Sequence, residues 1–123
     1  MATQDDVRRV ALDLPETTEG DDRFGFSVAG KAFAWSWMER VDPKRARIES
    51  TSVIAVRVAD ELAKQTLLAT EPDVCFTEPH DDGYPAVLVR LEPIDLARLE
   101  RILIQGWRSR APKRLLPSAP TAG

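Results

Sequence analysis

The stretch that most restricts the fold is residues 24–39, FGFSVAGKAFAWSWME. Phe24, Phe26 and Val28 alternate with Gly25 and Ser27, the period-2 signature of a half-buried strand. Beyond Ala29-Gly30, Lys31, Phe33, Trp35 and Trp37 alternate with Ala32, Ala34, Ser36 and Met38. Gly30 reaches positive φ without steric cost, so the two runs read as a hairpin reversing there. Ala29 is a poor type I′ residue, which leaves the turn type open. One face of the second strand is bulky and aromatic, the other small. The expectation is that the aromatic row packs under helices, because large aromatics dominate cores. The competing reading of the same row is a stacking platform for nucleic acid.

The flanks supply the rest of an α+β domain. Thr3 is placed to N-cap a first helix, with Asp5 and Asp6 in its opening turn. Val7, Val10, Ala11 and Leu14 recur at helical spacing until Pro15. Residues 15–23 are polar and acidic and read as a connection. After the hairpin, residues 40–52 hold an Asp42-Pro43 turn signal and four cations, Arg40, Lys44, Arg45 and Arg47. Residues 45–49 are open to a further short strand. Residues 53–58 form a β-branched strand, with Ile54, Val56 and Val58 facing one way, and from Ala59 the period turns helical through Leu62, Leu67 and Leu68.

Strands at 74–77 and 86–91 flank a loop, EPHDDGYP, that carries an Asp82-Gly83 turn signal. A last helix opens near Ile94-Asp95 and runs to about residue 110 on Leu96, Leu99, Ile102, Leu103 and Trp107. The order predicts one domain over residues 1–115, a two-layer, twisted, mostly antiparallel sheet with helices packed on one face. The small and proline-rich tail, 116–123, is expected to be flexible.

Composition narrows the function classes. A net charge of −3 over 123 residues argues against a wholly basic nucleic-acid binder, while leaving a local basic patch open. A single cysteine, Cys75, excludes an intramolecular disulfide and fits a reducing compartment. Residues 1–9 are polar, unlike a signal peptide, and no apolar run approaches membrane-spanning length. The expectation is a cytoplasmic protein with no membrane partner.

Several runs, in this order, resemble the MmcQ/YjbR family of small bacterial proteins with a CyaY-like fold. They are Leu14-Pro15-Glu16-Thr17, Gly30-Lys31-Ala32-Phe33, Pro72-Asp73-Val74, the run 79–91 (PHDDGYPAVLVRL), and Gly106-Trp107-Arg108-Ser109-Arg110-Ala111-Pro112-Lys113. The resemblance spans about residues 7–115. It implies the CyaY-like α+β fold and a DNA-binding role inferred for the family from fold and surface, with no established enzymatic chemistry. Asp81 departs from the pattern, where close relatives are expected to carry an aromatic.

The chemistry-bearing residues point the same way. No nucleophile elbow, P-loop or dinucleotide fingerprint occurs, and no cofactor is implied. One histidine and one cysteine on different segments make no zinc site. Seven carboxylates within residues 1–22 permit weak cation binding but equally serve as solubilising charge.

Residues 98–114 carry six cations against Glu100, enough for a positive patch on an acidic protein. The leading expectation is therefore a non-enzymatic DNA-binding protein. It would contact phosphates through Arg108, Arg110, Lys113 and Arg114 of the terminal helix and Arg40, Lys44, Arg45 and Arg47 of the loop. The alternative is a protein- or small-ligand-binding module using His80, Asp82 and Tyr84 with the open sheet face.

Overall fold

The computed structural model describes residues 1–39, 42–79 and 83–118. Helix α1 (Gln4–Leu12) begins where its sequence says it should. Thr3 Oγ1 accepts from the Asp6 amide, and the Asp6 carboxylate accepts in return from the Thr3 amide at 2.9 Å. This reciprocal capping satisfies two donors that the first turn would otherwise leave unpaired. Val7 and Ala11 point inward, and Asp13 closes the helix.

Six strands follow, β1 (Thr17–Glu19), β2 (Gly25–Val28), β3 (Lys31–Glu39), β4 (Ile48–Arg57), β5 (Cys75–Phe76) and β6 (Ala86–Arg90). Helix α2 (Glu61–Thr70) separates β4 from β5, and α3 (Leu96–Arg110) follows β6. The sheet is antiparallel, in the order β1-β2-β3-β4-β6-β5. This is the α+β arrangement expected. Two details differ from expectation. The acidic connection contains an edge strand, β1, and of the residues left open at 45–49 only Ile48 and Glu49 are strand, as the start of one long strand, β4. Short edge strands ending in a charge, as β1 does at Glu19, resist pairing with other chains.

The three helices form the second layer. Leu99, Ile102, Leu103 and Trp107 of α3 are buried, as are Ile54 and Val56 of β4 and Val87 and Val89 of β6. Each such side chain contributes roughly 1.5–3 kcal/mol on leaving water. Gly106 lets α3 approach the sheet closely, since a Cβ there would stand 2.7 Å from Cγ1 of Val56. Trp107 donates from Nε1 to the Pro15 carbonyl at 3.0 Å, locking α3 to the exit of α1. Past α3, residues Lys113–Ser118 form a 3-10 turn in which Leu115 is buried and Leu116 packs on the core.

The hairpin overturns one expectation. Its loop is Ala29-Gly30, with φ of 48° and 84°, so both residues are left-handed as a type I′ connection requires. Phe26 pairs with Ala34 but Ser27 pairs with Ala32, so Phe33 is an extra residue in β3. Such a bulge shifts the alternation by one. Phe33 and Ala34 both enter the core, fully shielded from solvent. Trp35 and Trp37 therefore turn to the face opposite the helices. The aromatic row predicted for a helix-covered core is split between the two sides of the sheet.

Candidate functional site

The sheet face away from the helices is built across strand pairs. Gly25, Trp35, Ala55, Leu88 and Phe76 stand opposite one another in successive strands β2, β3, β4, β6 and β5. Directly opposed residues share a face. Their neighbours Ala34, Val56 and Val87 share the other, with Val56 under α3. Gly25 leaves room for the neighbouring indole, because a Cβ there would meet Cβ of Trp35 at 3.3 Å.

The rings on the open face are ordered by edge-to-face contacts. Trp35 meets Tyr84 with centroids 6.5 Å apart, and Trp37 meets Phe76 at 5.8 Å. Two arginines cover rings, Arg57 at 5.5 Å from the Tyr84 centroid and Arg90 at 4.0 Å from that of Phe76. Such contacts contribute about 0.5–2 kcal/mol each and hold the guanidinium planes in place.

Two cavities open beside Trp35. One, of about 160 Å³, lies among Trp35, Trp37, Tyr84, Leu88, Arg23 and Arg47. The other, of about 510 Å³, is bounded by Trp35, Tyr84, Gly25, Arg23, Arg57 and Arg110. Among the described residues, no carboxylate lines either one. The guanidinium groups of Arg23, Arg57, Arg90 and Arg110 make no ion pair among the described residues. The Nε atoms of Arg57 and Arg110 are buried without a hydrogen-bond partner. An orphaned buried donor beside a polar cavity is costly unless a ligand or water accepts from it.

The predicted cations are distributed unevenly around this face. Arg47 lines the smaller cavity and donates to the Met38 carbonyl at 3.2 Å, and Arg110 lines the larger one. Lys44 and Lys113 are exposed, and Arg45 pairs with Asp42 at 3.6 Å. Arg114 forms two bonds to Glu16, at 2.6 and 3.0 Å, which hold the Glu16 carboxyl below its ordinary range. Arg108 is exposed beside the groove between α2 and α3. Arg40, His80 and Asp82 lie outside the described residues, as does Asp81; Tyr84 walls both cavities.

Other charges are engaged elsewhere. Arg98 joins Glu71, Asp73 and Asp95, while Arg101 adds a second bond to Glu71. Arg8 spans Asp5 and Glu19. No group of three or more potential metal ligands converges among the described residues. Cys75 faces the core and burial pushes its thiol up to about 11, so it is a packing residue. Sequence reasoning had not placed Arg23 or Phe76 with the tryptophans. The bulge that brings them together has no signature in a two-residue period.

Fold and site together define a two-layer α+β protein with an uncovered, basic and aromatic sheet face. The chain belongs to the YjbR family, whose pattern it matches over residues 12–109. It is similar to the uncharacterized proteins Mb2600 of Mycobacterium bovis and Rv2570 of Mycobacterium tuberculosis, at 42% identity over 122 residues, covering 94% of this chain and 94% of each relative. No solved structure matches it significantly. No helix among the described residues is long and apolar enough to cross a membrane.

Proposed function

We propose that this protein is a non-enzymatic DNA-binding module whose contact surface is the open sheet face. One observation carries the reading: four aromatic rings are interleaved there with arginines that, among the described residues, make no ion pair, and no described carboxylate lines the cavities between them. Phosphate binding needs a local positive field rather than a basic protein, so a net charge of −3 is compatible with it. Among the described residues of the two predicted basic segments, Arg47 and Arg110 line these cavities. Arg23, Arg57 and Arg90 complete the surface.

The test is fluorescence anisotropy with labelled single- and double-stranded DNA at low and near-physiological salt. Neutralising about four phosphates gives a log–log salt slope near −3, and an Arg23→Gln/Arg57→Gln/Arg110→Gln variant flattens it and weakens binding. An Arg108→Ala/Lys113→Ala variant changes little. Absence of binding to either DNA at low salt overturns the reading. The 510 Å³ cavity favours, as the alternative, a small anionic ligand walled by Tyr84. Its affinity would vary far less with salt.

A further inference from the structure

We infer that the open face is built for unpaired strands, with Trp35 and Trp37 as adjacent base seats and Arg57 and Arg110 as the phosphate seat between strand and cavity. This deepens the nucleic-acid reading and rests on it. The geometry separates the four rings into two kinds. Arg90 lies over Phe76 and Arg57 over Tyr84, so a ring face on each of these residues is already occupied. Among the described residues no guanidinium covers Trp35 or Trp37, and Trp35 lines both cavities. The two indoles are two residues apart on one strand, roughly 7 Å at a strand's rise per residue. That distance suits successive bases of an extended strand.

A duplex cannot use these seats. Its bases present their π-faces only to one another, and proteins read its major groove by inserting a helix or a two-stranded ribbon. Here α1, α2 and α3 all lie behind the sheet. What the front offers is a shallow surface of rings with arginines around it, the combination that binds single strands by base stacking and backbone neutralisation. The buried, unpartnered Nε atoms of Arg57 and Arg110 then have an acceptor in a phosphate oxygen entering the larger cavity. Stacking is blind to sugar type, so both DNA and RNA strands fit the two seats.

The experiment compares a fluorescein-labelled 12-nucleotide DNA strand, its duplex, and the RNA strand of the same sequence, by anisotropy and by quenching of tryptophan emission. The single strands should bind at least tenfold more tightly than the duplex, with quenching that Trp107 cannot supply because it is buried. Trp37→Leu should weaken single-strand binding roughly tenfold, the scale of one lost base stack. Arg57→Gln, which keeps a polar but shorter and uncharged side chain, should weaken it as well and reduce the salt slope. Circular dichroism melting confirms that each variant folds. Equal or tighter duplex binding, or an unaltered affinity in folded Trp37→Leu, overturns this inference while leaving the DNA-binding reading standing. Failure of every probe to bind at low salt overturns both. Tighter binding of either sugar type assigns the natural strand.

Discussion

The ammonium of Lys64, 1% exposed within α2, donates from Nζ to the carbonyl oxygen of Tyr84 at 2.9 Å. The same carbonyl accepts from the Ala86 amide at 2.8 Å, so the residue walling both cavities is fixed from the helix layer and from β6 together. A buried ammonium is tolerated only where its donors are satisfied. Lys64→Met keeps the apolar stem and removes the charge. The expected loss is about 1–3 kcal/mol in urea unfolding, with an altered near-ultraviolet signal from the Trp35–Tyr84 pair. Unchanged stability together with an unchanged spectrum would show that the bond positions nothing.

Gly106 sits under a different constraint, imposed by the sheet. Replacing an interior helical glycine by alanine ordinarily gains roughly 1 kcal/mol of helix propensity. Here the new methyl would meet Cγ1 of Val56 at 2.7 Å and the carbonyl oxygens of Arg57 and Phe33 at 3.3 Å. Backbone oxygens cannot rotate away, so α3 must lift. Gly106→Ala should lower stability by about 1–3 kcal/mol, the scale of core overpacking. Pairing it with Val56→Ala removes the closest contact and should cost less than the sum of the single changes in a double-mutant cycle. Simple additivity would refute this account.

The contrast between Phe33 and Trp35 shows where sequence reasoning reaches and where it stops. Strict alternation puts both residues on one face, and burial statistics put that face in the core. The helices were legible because capping and spacing are local: Thr3 and the buried row of α3 stand where their chemistry requires. The sheet was legible in class, since hairpin turns and short polar links leave few alternatives. A bulge depends on the neighbouring strand, however, and one inserted residue reverses every side chain after it. Trp35 and Trp37, the two indoles of the candidate site, lie on the far side of that reversal. Edge strand β1 was missed for a related reason, as a three-residue strand is too short to show a period. Charge counting along α3 overstated a patch, because Arg98 and Arg101 are engaged by Glu71, and Asp73 and Asp95 bind Arg98 further.

The hairpin loop offers a stabilising change. Ala29 holds a φ of 48°, a region that costs an alanine roughly 1 kcal/mol and that asparagine enters readily. Ala29→Asn restores the Asn-Gly pair that type I′ turns favour. Stability should rise by about 0.5–1 kcal/mol, read as a higher melting temperature with the same denaturant slope. A lower melting temperature would mean that the turn is not of this type in solution.

Arg98 predicts a specific dependence on pH. It reaches the carboxylates of Asp95 at 2.6 Å, Asp73 at 2.9 Å and Glu71 at 3.0 Å, joining the start of α3 to the segment that follows α2. The hydrogen bond from Arg98 holds the Asp95 carboxyl below its ordinary value of 3.8. A group whose pKa falls on folding stabilises the protein above its unfolded value, and that contribution disappears as pH drops through the folded value. Arg98→Ala should therefore destabilise the protein at pH 7 and leave three carboxylates without their shared cation. The gap between wild type and variant should stay constant down to about pH 4 and narrow below it, as protonation of Asp95 removes a partner that the arginine binds. Lysine should restore only part of the loss, since a single ammonium cannot present the forked donors that span three acids. Thermal melts of the three proteins from pH 3 to pH 7 decide the matter. A gap that persists undiminished at pH 3 would assign the effect of Arg98 to packing of its stem instead of its charge.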